Sequence, residues 1–283
     1  MTDDVRAQRV TDLLLRLRAL GRVVVAFSGG ADSAFLLAAA VRALGPERVT
    51  AATAVSPSLP VTELDQAVTF AAGLGVAHLT PRTDEMSREG YRANGGDRCY
   101  FCKAELLDTV RPLADALDAV VLTGTNADDA VAGFRPGIRA AAERGALAPL
   151  RDAGLTKQQI RATSLDWGLP TWAKPAAACL SSRIAYGLRI TPGRLARVER
   201  CEAALRSALW SAGHRVTDLR VRDLGDETAR VELDPGLVDI VRDNPRLLAA
   251  VGEFDRVDVR SFRSGSMNDV LAVFAVGVAA ETG

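Results

Sequence analysis

The chain has 283 residues, 48% of them hydrophobic, with 35 basic and 35 acidic side chains and a formal net charge of zero. That length supports one large domain or two moderate ones with a substantial core. The charge balance argues against a nucleic-acid partner, whose binding surface shows as a basic excess or stripe. Only Lys103, Lys157 and Lys174 among the 35 cations are lysines, and the arginine elsewhere reads as genome composition. The start of the chain runs into a charged amphipathic helix carrying Leu13, Leu14, Leu17 and Leu20, not a secretory leader. Its longest apolar stretch, Val270 to Ala280, is too short to span a bilayer. A soluble, cytoplasmic protein with reduced thiols and no membrane partner is expected.

From residue 20 to about 175, strand-type and helix-type runs alternate, the pattern of βαβ units and a parallel sheet. Val23 to Phe27 reads as the first strand and Ala31 to Leu44 as its helix. Between them stands Ser28-Gly29-Gly30-Ala31-Asp32-Ser33. Two glycines let the backbone turn tightly and approach an anion, and the N–H groups opening the helix point at it. Ser28 and Ser33 add hydroxyl donors, and Asp32 can hold Mg²⁺ against phosphate oxygens. No lysine follows the glycines, so this is not a Walker loop. The pattern resembles the PP-loop of ATP pyrophosphatases, which cleave ATP between the α and β phosphates and adenylate a substrate oxygen. The resemblance implies that Ser28, Gly29, Gly30, Asp32 and Ser33 bind ATP and its pyrophosphate.

Val49 to Val55 reads as the second strand, and Thr62-x-x-Asp65 as a capping box opening the next helix. Val76 to Thr80 is the third strand, Lys103 to Leu117 a helix and Ala119 to Gly124 the fourth strand. Gly124-Thr125-Asn126-Ala127-Asp128-Asp129 follows it, small and acidic residues that fit adenosine or Mg²⁺ contacts at a strand's carboxyl end. Thr156-x-x-Gln159 caps a helix reaching about Trp167. Thr191-Pro192 then opens another helix. Alternating runs at 217–222 and 228–233, a helix from Pro235 to about Val251 and a strand-like 257–262 complete a smaller α/β unit. The expected organisation is a parallel-sheet α/β domain over 1–188 and a small C-terminal α/β domain over 189–283. His78 and His214 lack functional neighbours and read as ordinary residues.

Four cysteines carry further chemistry. Cys99-Tyr100-Phe101-Cys102, with Lys103 beside it, is a Cys-x-x-Cys pair open to zinc, redox or iron–sulfur readings. Zinc wants four ligands, and a redox dithiol normally opens a thioredoxin-type unit. Three thiolates on a cubane leave one iron free for an extra sulfide. Cys179 stands between Lys174 and Arg183, cations that favour its thiolate. Cys201 shares helical spacing with Val198, Leu205 and Leu209 and reads as core.

Ser28–Ser33, Cys99-Tyr-Phe-Cys102-Lys103, Gly124–Asp129, Lys174-Pro175 through Arg183, and Arg263-Ser-Gly-Ser-Met-Asn268 occur in the order found in the LarE family. The chain resembles these ATP-dependent sulfur insertases of nickel-pincer cofactor biosynthesis along nearly its whole length. The resemblance implies an adenine nucleotide alpha hydrolase-like fold and a pyridinium-3,5-biscarboxylic acid mononucleotide substrate. ATP would adenylate its carboxylate, pyrophosphate would leave, and a thiocarboxylate would form for the cofactor of lactate racemase. One branch of the family has a single cysteine, matching Cys179, that surrenders its own sulfur. The other has three, matching Cys99, Cys102 and Cys179, that resemble [4Fe-4S] ligands, and this chain carries all three. Gly124, Thr125 and Asn126 join the nucleotide site by the same resemblance, and a homo-oligomer, a hexamer, is implied. Lys103, Lys174, Arg183, Arg220, Arg222 and Arg263 are the expected substrate and phosphate contacts. A solvated basic strand edge is the alternative for Arg220 and Arg222. Competing readings are a PP-loop tRNA thiolation enzyme, an amide-forming synthetase and a non-enzymatic binding module.

Overall fold

The computed structural model describes residues 3–131, 135–175 and 179–263. The 270–280 run, Ala176 to Ala178 and residues 264–268 of the last motif lie outside them. No described helix is long and apolar enough to cross a membrane. The elements open with α1 (Asp3–Arg18), β1 (Val23–Ala26), α2 (Ala31–Leu44), β2 (Val49–Ala52), α3 (Val61–Gly73) and β3 (Ala77–Leu79). Next come α4 (Glu89–Arg92), α5 (Arg98–Ala116), β4 (Val120–Thr123), α6 (Ala127–Val131), α7 (Pro136–Glu143), α8 (Pro149–Asp152) and α9 (Lys157–Asp166). The chain continues through α10 (Pro192–Ser211), β5 (Leu219–Gly225), β6 (Thr228–Leu233), α11 (Val238–Arg242), α12 (Pro245–Leu248) and β7 (Arg256–Ser261).

These elements form two compact units, Met1–Glu85 with Cys99–Ala177, and Met86–Arg98 with Ala178–Gly283. In the first, β1 to β4 make a parallel sheet in the order β3-β2-β1-β4. Every residue of β1 and β2 is buried, as the apolar run Val23 to Ala26 demands of a strand covered on both faces. Phe35, Leu36 and Leu37 of α2 pack with Leu13 and Leu17 of α1 and Ile160 of α9. Strand order reverses beside β1, so the loops after β1 and β4 flank the crevice where open parallel sheets bind ligands. This is the expected α/β parallel-sheet class with a smaller second unit.

Two local expectations are corrected. The capping box at Thr62 does not form, because α3 starts one residue earlier with Pro60 at its N-cap and no side-chain cap. The helix expected from Pro235 to Val251 is broken into 3₁₀ turns and the short α11 and α12. Pro245 has no N–H to give and its ring clashes with the preceding turn, and the Asn244 side chain caps the restart at Arg246 N (3.0 Å). The capping box at Thr156 and the Thr191 cap are both present.

In the second unit β5 pairs antiparallel to β6, and β6 parallel to β7. The segment 86–98 joins it through Asn94, which is fully buried with φ +56. Asparagine tolerates that left-handed backbone. Asn94 Nδ2 donates to the carbonyls of Ala185 (2.8 Å) and Leu188 (3.0 Å), and Tyr91 Oη meets Ser181 Oγ at 2.5 Å.

Candidate functional site

The first unit holds a cavity of about 370 Å³ at the carboxyl ends of β1, β2 and β4. Its floor is the loop Ser28–Ser33. Gly29 turns at φ +71, a conformation glycine adopts without penalty. Gly30 serves as the N-cap of α2 without any side-chain cap, which leaves the first N–H groups of that helix to a ligand. The serines brace the loop: Ser33 Oγ donates to Gly30 O (3.1 Å), Ser28 Oγ lies 3.1 Å from Ser33 Oγ, and Gly30 N donates to Ser28 Oγ (3.4 Å).

The β4 loop meets this floor. A Cβ on Gly124 would fall 2.9 Å from Ser33 N, so only glycine lets the two backbones approach. Asn126 Nδ2 donates to Asp32 Oδ2 (3.1 Å), and Asn126 Oδ1 accepts from Asp129 N (3.0 Å). Asp32 Oδ1 is buried with no hydrogen-bond partner. Burial raises the Asp32 pKa, opposed by Lys157 and by the Asn126 bond. A buried carboxylate oxygen left open beside an anion cradle fits Mg²⁺, a hard cation that takes carboxylate and phosphate oxygens together.

Ser28, Gly30, Asp32, Ser33, Gly124 and Thr125 all line the cavity. Gly29 and Asn126 are buried and do not line it. Lys103 lines it too, its pKa lowered by burial and raised in part by Cys102 and Cys99. Lys174, the remaining expected cation in this unit, also reaches the cavity, while its ammonium bonds Glu63 Oε2 (2.7 Å) and Gln66 Oε1 (2.8 Å). Asp129, read in sequence as part of the acidic run after β4, lines the cavity as well, and sequence reasoning passed over Thr53, Lys157 and Arg161, which line the same space. Their signal was only their place after β2 and on the first turns of α9. His78 is also more than a bystander. Its Nε2 lies 2.8 Å from Thr53 Oγ1, which donates to Phe27 O (2.7 Å) at the entry to the loop.

Cys99 and Cys102 sit in the opening turns of α5, exposed and half-buried, three residues apart and so on one helix face. Neither is in a disulfide, and two thiol donors so placed suit iron and sulfide. Among the described residues no three His, Cys, Asp or Glu side chains form a ready-made metal cluster. Cys201 is buried, as its helical face predicts, with its thiol pushed up to about 11 by desolvation.

In the second unit Cys179 is exposed at the start of the 3₁₀ turn Leu180–Arg183. Its carbonyl accepts from Ser182 Oγ (2.8 Å) and Arg183 Nη1 (3.3 Å). Arg183 is buried against Glu202 (2.9 and 3.2 Å), and Arg222 against the fully buried Glu232 (2.8 Å). The solvated-edge alternative therefore does not describe Arg222. Arg220 is half-buried over Phe262, its pKa lowered by desolvation and then by Arg183. Arg263 is exposed after β7.

A parallel sheet whose first strand enters α2 through Ser-Gly-Gly-Ala-Asp-Ser, faced by a glycine loop from β4, defines a PP-loop-like α/β domain with a smaller domain beside it in the chain. No protein-family model matches the chain. It is 34% identical over 271 residues to the pyridinium-3,5-bisthiocarboxylic acid mononucleotide synthase of Lactiplantibacillus plantarum, covering 94% of this chain and 95% of that one. An uncharacterized protein of Synechocystis sp. is 41% identical over 260 residues, 89% of this chain and 94% of that one. An uncharacterized protein of Methanocaldococcus jannaschii is 25% identical over 233 residues, 80% and 83% of the two chains. The chain belongs to the family of the Lactiplantibacillus synthase, the LarE family.

Proposed function

We propose that this protein is an ATP-dependent sulfur transferase that converts a carboxylate of a pyridinium-3,5-biscarboxylic acid mononucleotide to a thiocarboxylate. The end-to-end relationship to the Lactiplantibacillus synthase carries the reading. The open Asp32 oxygen in the loop cavity supports its ATP step.

A carboxylate resists sulfur nucleophiles because its leaving group is poor. In the proposed reaction a substrate carboxylate oxygen attacks the α-phosphorus of ATP. The bond from that phosphorus to the bridging oxygen breaks, and its electron pair departs with pyrophosphate. The helix N–H groups after Gly30 and the hydroxyls of Ser28 and Ser33 bind that leaving group, and Asp32 would hold Mg²⁺, which neutralises the charge on its oxygens. A sulfur nucleophile then adds to the acyl carbon, and AMP leaves with the electron pair of the broken C–O bond. Thr125 flanks the nucleotide, the buried Asn126 holds Asp32 in place, Lys103 and Lys174 supply cations in the same cavity, and Arg220 and Arg263 are the phosphate contacts of the second unit. Arg183 and Arg222 brace the segment around Cys179 and Ser182.

For the sulfur we favour the three-cysteine branch, in which Cys99, Cys102 and Cys179 would hold a [4Fe-4S] cluster, a group that would carry sulfide taken up from solution. In the alternative, Cys179 itself attacks the adenylate, its Cβ–S bond breaks as the α-proton is lost, and dehydroalanine remains. The enzyme is read as cytoplasmic and homo-oligomeric, a hexamer as the family resemblance implies.

The test incubates the full chain, purified without oxygen, with MgATP, sulfide and the biscarboxylic mononucleotide. AMP, pyrophosphate and thiocarboxylate in repeated turnovers, with unchanged protein mass, are expected. ADP and phosphate would overturn the ATP step. A single turnover with loss of the mass of H₂S would replace the cluster by the sacrificial cysteine. Thiocarboxylate from Cys179→Ala would sink both.

A further inference from the structure

Arginine supplies all but three of the 35 cations of this chain, and the exceptions are Lys103, Lys157 and Lys174. All three line the one cavity above the Ser28–Ser33 loop. A composition that favours arginine everywhere else leaves lysine only where a compact, rotatable ammonium faces this space, a point charge where arginine would bring a planar fork.

Two of the three have tasks already. Lys103 stands beside the Cys99 and Cys102 pair, and Lys174 is bonded to Glu63 and Gln66. Lys157 is different. Its ammonium has no hydrogen bond or ion pair among the described residues, while its backbone is fixed from two directions. Lys157 N donates to Asp128 Oδ2 (2.7 Å), and the Thr156–Gln159 capping box locks the turn around it. Asp128 lies in the first turn of α6, two residues after Asn126, which bonds Asp32. One rigid frame therefore holds Lys157, Asn126 and Asp32. Lys157 and Asp32 line the same cavity.

Arg161, one turn further along α9, completes the wall. It donates to the carbonyls of Trp172 (3.2 Å) and Lys174 (2.7 Å) and so holds Lys174 beside Gly29. Against these four cations the lining offers only the carboxylates Asp32 and Asp129. The cavity is built for a polyanion.

We propose that Lys157, in the lining of the loop cavity, contacts the β- and γ-phosphates of ATP and takes up the charge that pyrophosphate gains as it leaves. The proposal rests on the ATP reading above. As the bond from the α-phosphorus to its bridging oxygen breaks, the electron pair moves onto that oxygen, and a fixed cation there stabilises the departing group.

Calorimetric titration of the full chain tests this without turnover, using inorganic pyrophosphate with Mg²⁺ and, separately, AMP. Lys157→Gln is expected to weaken pyrophosphate binding about tenfold or more and to leave AMP binding unchanged. Lys157→Arg should recover part of the loss. Lys157 is exposed and gives the cap only its backbone N–H, so both variants should melt with the wild type. Equal pyrophosphate affinity in wild type and Lys157→Gln overturns the proposal, as does a parallel loss for AMP. A wild-type chain that binds neither ATP nor pyrophosphate overturns the ATP reading itself, a result separate from any effect of the variant.

Discussion

The ammonium of Lys174 lies 2.7 Å from the carboxylate of Glu63, across 111 residues of sequence. Both side chains are mostly buried, at 15% and 22% exposure, and a Cβ on Gly29 would stand 3.8 Å from that ammonium. Glu63 thus holds a cation against the loop while cancelling part of its charge. Glu63→Gln should free Lys174 for phosphate and lower KM for MgATP several-fold, at a stability cost of about 1 kcal/mol. Lys174→Ala should raise KM. Steady-state kinetics with thermal melts of both variants check this, and an unchanged KM in both would detach Lys174 from the nucleotide.

Asp32 couples stability to pH in a defined direction. Burial raises its pKa, so the folded chain keeps this proton to higher pH than the unfolded chain, which releases it near about 3.9. Stability from this group is fully present below that value and is lost as pH rises through the raised folded pKa. Asp32→Asn should therefore melt with the wild type at low pH and above it at neutral pH, by ~1 kcal/mol, while losing Mg²⁺-dependent adenylation. Added Mg²⁺ should raise the melting temperature of wild type alone.

The three loop glycines should rank by what a methyl group meets. Gly124→Ala places Cβ 2.9 Å from Ser33 N and 3.0 Å from Ser33 Cα, both backbone. It should cost about 1–3 kcal/mol and abolish nucleotide binding. Gly29→Ala has ordinary contacts, the nearest 3.6 Å, but a φ of +71, and should cost about 1–2 kcal/mol. Gly30→Ala is extended, with one contact at 3.4 Å, and should be mildest. Denaturant melts and ATP titrations give the order, and Gly30→Ala as the worst would contradict it.

Glu232 is fully buried between Arg222 and Arg260. Glu232→Ala leaves the Arg222 charge buried without its carboxylate and should cost about 3–5 kcal/mol. Arg260→Ala removes a 40% exposed partner and should cost about 1 kcal/mol or less. Chemical denaturation compares the two, and near-equal losses would show that Glu232 does not depend on Arg222.

What was legible in the chain is what depends on near neighbours. The Ser28–Ser33 loop between strand and helix, the caps at Thr156 and Thr191 and the buried face of Cys201 rest on contacts within a few residues. The exact spans of α2 and β6 followed from local periodicity for the same reason. Even there a neighbour can overrule a motif, as Pro60 did at the start of α3 and Pro245 in the last helix. Only the tertiary structure joined Asp32 to Asn126 across 94 residues, brought Lys157 and Arg161 into the cavity and grouped residues 86–98 with the second unit. It also turned Arg183 and Arg222, which read as phosphate cations, into buried partners of Glu202 and Glu232. Burial and charge pairing depend on which distant segments meet. A charge with no local partner looks the same in sequence whether it faces a ligand or a carboxylate brought from elsewhere in the chain.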